Sequence, residues 1–287
     1  MNRMRSDRQR GMVLLFVLWL VVALAALALP FVRTSGETAR LQRAAIETLH
    51  LDAAAEAALW LAAEALLVGR LRPGGELVEE FAGTTIHLAV SGESGRVDLS
   101  AATAEVLDLW LEAHGIEGSE RAALRDRILD WRDGDSLRRV AGAEADDYRR
   151  LHRPGPADRG FLHPFELAAI PGFARPQLSA MLADATVFTG YGEPVAELAP
   201  ATLRARLEGR LPAALQDREG RGIAVRTGSE KGTRIADPAD TYRLAIRVER
   251  AGLAKRVIAV VTIPPDFPPS PLLLDWIAVV ESAGASS

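Results

Sequence analysis

Residues 12–32 carry no charged side chain, and this unbroken apolar run constrains the chain more than any other feature. As a helix, about 21 residues reach roughly 30 Å, the thickness of a bilayer's hydrocarbon core. Arg3, Arg5, Arg8 and Arg10 precede it with only Asp7 against them. Positive charge favours the cytoplasmic side, so the N-terminus is expected there and the rest of the chain beyond the membrane. A cleaved secretory signal has a shorter apolar core and small residues at its far end. Here the run passes Pro30 and Arg33 and continues to about residue 67 in a stretch rich in Ala, Leu, Glu and Arg, with only Gly36 to interrupt it. The pattern predicts one long helix, its first half in lipid and its second half packed on a domain; the face carrying Leu49, Ala53, Leu59 and Trp60 is expected to pack partly on its own sheet and partly on partner helices.

The boundary between charge and apolar run falls at Gly11-Met12, which resembles a type IV prepilin signal. By that resemblance a leader of residues 1–11 is cut after Gly11 by a prepilin peptidase, and Met12 becomes the methylated N-terminus. Such proteins mostly have glutamate fifth in the mature chain; Phe16 stands there instead. A buried carboxylate is costly without a partner, and a subunit with nothing above it has no use for one.

After a turn-rich break at GRLRPGG, residues 76–100 alternate with period two and predict short strands. Residues 101–187 change to helical spacing in AATAEVLDLWLEAHGI, SERAALRDRILDWRDG and HPFELAAIPGFARPQLSAMLADA, with Thr103 and Ser119 as candidate caps. One more short helical region follows in GEPVAELAPATLRARLEGRLPAAL. TYRLAIRVERAG and LAKRVIAVVTIPP then read as an antiparallel pair about Gly252, and LLLDWIAVV as a third strand. The expected fold is α+β and pilin-like: a long N-terminal transmembrane helix on an antiparallel sheet, interrupted by a large, mostly helical inserted domain. Its expected divisions are a leader at 1–11, the transmembrane half-helix at 12–32, helix and first strands at 33–95, the insert at 96–190, and a last helical segment with the C-terminal strands at 191–287.

Chemistry-bearing motifs are few. The chain has 287 residues, no cysteine and a formal charge of -4, which excludes thiolate catalysis, disulfides and zinc-thiolate sites. The five histidines are scattered, and no nucleophile elbow, P-loop or dinucleotide fingerprint occurs, so no enzyme is expected. Asp126 and Asp130 lie one helical turn apart, and the arginines beside them favour an ordinary charged helix face. GRVDLSAATAEVLDLWL and FELAAIPGFARPQL look like helix-hairpin-helix elements. They raise the rival reading of a membrane-anchored periplasmic DNA-binding protein. That reading needs a basic domain, and residues 96–190 carry 16 acidic side chains against 12 basic ones, so no nucleic-acid partner is expected. Asp130, Asp133, Asp135, Glu144, Asp146 and Asp147 gather oxygen ligands on a glycine-containing loop, as a hard cation requires, without the EF-hand pattern. Pairing with Arg132, Arg138 and Arg139 in a solvated loop is the alternative.

Taken together, RQRGMVLLFVLWLVV, GRVDLSAAT, ILDWRDGDSLRRVAGAEADDY, FLHPFELAAIPGF, VIAVVTI and LLLDW resemble the general secretion pathway protein K family, the large minor pseudopilins of type II secretion. The resemblance spans nearly the whole chain. It implies an inner-membrane protein, single-pass with its bulk periplasmic, that moves after leader cleavage to the pseudopilus tip. There it joins the minor pseudopilins lettered I and J, helps initiate assembly and contributes to protein export, with the outer-membrane secretin or secreted cargo as further contacts. Phe16 and Trp19 would fill the helix-packed pilus core. The family's association with calcium in the insert raises the standing of the acidic loop as a metal site. The chain departs from the family in EPVAELAPATLRARL, where a Val-Asn-Leu-Asn-Thr-Ala-Pro segment is usual, and in Asp98 and Ser100, which replace asparagines of the first such segment.

Overall fold

A computed structural model describes residues 4–173, 176–207, 241–263 and 271–279; side chains are described from residue 14 onward, those of 27–40 and 279 excepted. Helix α1 runs Met4–Leu67, straight through positions 30 and 36, as its helix-forming composition predicts. It ends at Gly69, whose left-handed backbone (φ 75°) lets Leu71 N–H return to the Ala65 carbonyl.

Strands β1 (Glu76–Phe81) and β2 (Thr84–Gly92) form a hairpin, and β5 (Thr241–Arg250), β6 (Leu253–Thr262) and β7 (Leu272–Val279) complete a sheet in the order β1-β2-β5-β6-β7. Every neighbouring pair in it is antiparallel. Alternation puts Ile86, Leu88 and Val90 of β2, Leu244, Ile246 and Val248 of β5, and Val257, Ala259 and Val261 of β6 on one buried face. Leu51, Ala55, Ala58 and Ala62 of α1 cover that face. Their small side chains let the helix come close, at spacings of three and four residues. Of the four residues expected to pack on the sheet or on partner helices, Leu59 packs partly on the sheet core, whereas Leu49, Ala53 and Trp60 are exposed in the single chain.

Both tight hairpins turn on an Ala-Gly pair with positive φ at each residue, Ala82-Gly83 (49° and 74°) and Ala251-Gly252 (50° and 78°). The first position of such a turn suits asparagine better than alanine, because the left-handed region strains a Cβ. Ala251→Asn is therefore expected to raise the free energy of unfolding by roughly 1 kcal/mol, read from the urea midpoint.

The insert leaves the sheet after β2 and has its own core. Short strands β3 (Val97–Asp98) and β4 (Ala185–Thr186) pair in parallel at its base. Around them lie α2 (Ala104–Ala113), α3 (Gly118–Arg132), α4 (Ala145–Arg150), α5 (Leu178–Ala183) and α6 (Ala201–Leu207). Thr103 caps α2 by accepting from Val106 N–H at 3.3 Å, whereas Ser119 lies inside the first turn of α3 and caps nothing. The third predicted helix is broken. It forms a 3-10 turn at Pro164–Ala169 and then α5, because Pro171 has no N–H to donate and Gly172 adopts φ 95°. The insert's core takes in Ala199, Leu203 and Leu207, so it extends past the boundary expected at 190. The C-terminal part of the predicted region after 190 lies outside the described residues.

Candidate functional site

Two carboxylates of α3 anchor the loop that follows it. Asp130 is fully buried and accepts from the Arg139 backbone at 3.2 Å and from its guanidinium at 2.6 Å. Asp126, also buried, accepts from Ala141 N–H at 3.2 Å and from Arg125. This corrects the reading of the pair as an ordinary charged face: both acids point inward and hold residues 139–141 against the helix. Space there is tight, since a Cβ at Gly142 would lie 1.8 Å from the Asp130 carboxylate.

The six predicted metal-site carboxylates fall into two groups. Arg139 bridges Asp130 and Asp133, its Nη1 lying 2.5 Å from the latter. Glu144 lies behind them in the interior. Burial raises the pKa of its carboxyl, and the negative charges of Asp130, Asp133, Asp158 and Asp135 raise it further. Asp158, a contributor that sequence reading missed, comes from the distant loop RPGPADRG; Asp158 N–H donates to the Trp131 carbonyl at 3.1 Å. Asp135 is exposed and caps its own turn, accepting from Leu137 N–H at 2.8 Å. The other two acids are engaged elsewhere: Asp147 accepts from the Glu144 backbone at 3.0 Å and pairs with Arg138 and Arg150, and exposed Asp146 pairs with Arg149 at 2.6 Å. Among the described residues no three such groups close on one point as a formed metal site does. Yet Asp133 Oδ1 and Glu144 Oε1 are buried without a hydrogen-bond partner, which is the charge and donor chemistry a hard cation satisfies.

The junction between sheet and insert holds a further buried carboxylate that the sequence did not announce. Glu93, fully buried, receives Arg243 of β5 at 2.6 and 3.0 Å and Arg96 at 3.4 Å. The two arginines also donate to the carbonyls of Ala183 and Ala185 in the insert. Burial and the neighbouring Arg243 charge push the Arg96 guanidinium down to about 10. Nearby, the buried Asp98 carboxylate accepts five hydrogen bonds: from Ser100 and Ala101 N–H on one oxygen, and from Thr189 N–H, Thr189 hydroxyl and Gly190 N–H on the other.

Toward the N-terminus, Phe16 and Trp19 are 72% and 71% exposed on α1. Gly11 and Met12 lie within α1 but outside the described side chains, as does part of the apolar run 12–32. Among the described residues no helix is long and apolar enough to cross a membrane. The two segments resembling helix-hairpin-helix elements bury Val97, Leu99, Leu107 and Trp110, and Leu167, Ile170 and Phe173, in the insert's core, and so serve packing.

Comparisons with known proteins agree with this architecture. Residues 88–188 match the family described as Type II secretion system (T2SS), protein K. A chain in the crystal structure of the GspK-GspI-GspJ complex from the enterotoxigenic Escherichia coli type 2 secretion system shares the fold, with a TM-score of 0.59 at 12% identity, over 84% of this chain and 99% of that one. No curated protein matches the sequence. A long helix laid on an antiparallel sheet, with a helical domain let in between two neighbouring strands, is the architecture that the two chains share. Residues 88–188 are thus a domain of the type II secretion system protein K family.

Proposed function

We propose that this chain occupies the tip of the type II pseudopilus, bound to minor pseudopilins I and J, and that it helps initiate assembly. The observation that carries this reading is the insert: a second core the length of residues 97–207 grows from the end of β2, where it would obstruct a further subunit. The neighbouring fold comes from a complex of K, I and J proteins, which supports those partners for this chain. Contact with the secretin or with cargo belongs to the same proposal. In it, residues 12–32 first lie in the inner membrane and then exchange lipid for neighbouring helices, with exposed Phe16 and Trp19 entering that interface.

The test is intact mass and N-terminal sequencing after co-expression with active prepilin peptidase. A mature chain starting at methylated Met12, and its recovery with the I and J proteins, is the expected result. Retention of residues 1–11 beside active peptidase would reduce the segment to a plain anchor.

We also propose that the acid cluster of Asp130, Asp133 and Glu144 takes calcium, which would add to the positive charge that Arg139 brings to Asp130 and Asp133. The sign of the linkage is testable. Glu144 has a folded pKa above its unfolded value, so its ionised form burdens the fold at neutral pH and that burden is lifted as pH falls through the folded pKa. Calcium is therefore expected to raise the melting temperature at pH 7 more than at pH 4. In Glu144→Gln the metal-free protein should melt higher and the calcium increment should shrink.

A further inference from the structure

On the other side of Asp147 the insert has a groove of opposite character. It is a cavity of about 400 Å³ lined by Arg127, Arg138 and Arg150, with Asp147 the one carboxylate among its walls and Ala143, Leu151 and Pro171 as apolar surface. Asp147 cannot neutralise them all. Its Oδ1 serves both Arg138, at 3.3 Å, and Arg150, while its Oδ2 is taken by the Glu144 N–H at 3.0 Å. Arg127 spends one Nη on the Pro171 carbonyl at 2.8 Å, and its Nε is buried with no partner. Three guanidiniums thus face one carboxylate in a concavity, within a domain whose acidic side chains outnumber its basic ones. Such a surplus of directed donors calls for carboxylates, which guanidinium binds in bidentate fashion.

The apolar features separate a peptide from a simple anion. Leu151 lines the groove while more than half exposed, and the loop that supplies Arg138 and Gly142 also carries Leu137 and a wholly exposed Val140. Bare aliphatic groups beside arginines match a chain in which acidic and aliphatic residues alternate, whereas a small oxyanion would leave them in water. We propose that this groove docks an acidic, aliphatic-containing peptide segment of a second protein, with Arg127, Arg138 and Arg150 binding its carboxylates and Leu151 and Ala143 receiving an apolar side chain.

The probe is a fluorescein-labelled peptide of repeated Glu-Leu-Glu, followed by anisotropy with the full chain in detergent. Binding that weakens with salt is expected, together with a loss of at least about tenfold in Arg138→Glu/Arg150→Glu, the range for removing charge-assisted hydrogen bonds. Arg150→Glu alone, on a side chain 71% exposed, guards against a folding defect and should also weaken binding. Equal binding of a Gln-Leu-Gln peptide, no binding of the acidic peptide, or affinity unchanged in both variants would overturn the proposal. Equal binding of a Glu-Ser-Glu peptide would mark a general anion site and overturn it as well.

Discussion

Asp98→Ala is expected to destabilise the chain by roughly 3–5 kcal/mol, the range for removing one side of a buried, charge-assisted network. Five donors on residues 100, 101, 189 and 190 would lose their acceptor in a site closed to water. Nearby Arg132, whose pKa is lowered by burial and supported by the charge of Asp98, would lose that counter-charge while still donating to the Leu99 and Ala102 carbonyls. Urea unfolding followed by tryptophan fluorescence reads this directly, since Trp110 and Trp131 are buried in the same core. Asp98→Asn is the informative control. Asparagine restores one acceptor oxygen but turns an amide nitrogen toward N–H donors, so it should recover only part of the loss.

Glu93→Gln should cost a similar amount, about 3–5 kcal/mol, because it takes from the buried Arg96 and Arg243 the one carboxylate that they both hydrogen-bond. Burial first, and the neighbouring Arg243 charge second, already hold the Arg96 pKa down. Pairing the change with Arg243→Met removes the stranded charge, so the double variant should lose less than the sum of the singles. Additive losses would show that the three side chains do not act as one unit.

How much of this was legible in the sequence depends on the range of the interaction. The β5–β6 hairpin was readable because alternation and Gly252 are local signals, and Thr103 was readable as a cap because its acceptor role is set within one turn. The helix stripe on the sheet was hard to read for a physical reason: it is built from Ala55, Ala58 and Ala62, whose hydropathy is slight, while conspicuous Trp60 points outward. The acidic loop was visible as composition, but not its division, since Asp158 enters from a separate loop and Arg139 inserts between two of the acids. The Glu93–Arg243 pair joins residues 150 positions apart, and only the pairing of Gly92 with Tyr242 brings them together.

That pairing has a mechanical meaning. The chain departs for the insert from the end of β2 and resumes the sheet at the start of β5, and these strands are immediate neighbours. The head therefore meets the sheet at one neck, where β2 ends beside the start of β5. Glu93, with an arginine on each side and carbonyls of the far domain beyond them, braces that neck. In the tip position proposed above, a push along the helix would load this brace, and Glu93→Gln is expected to loosen the head from the shaft.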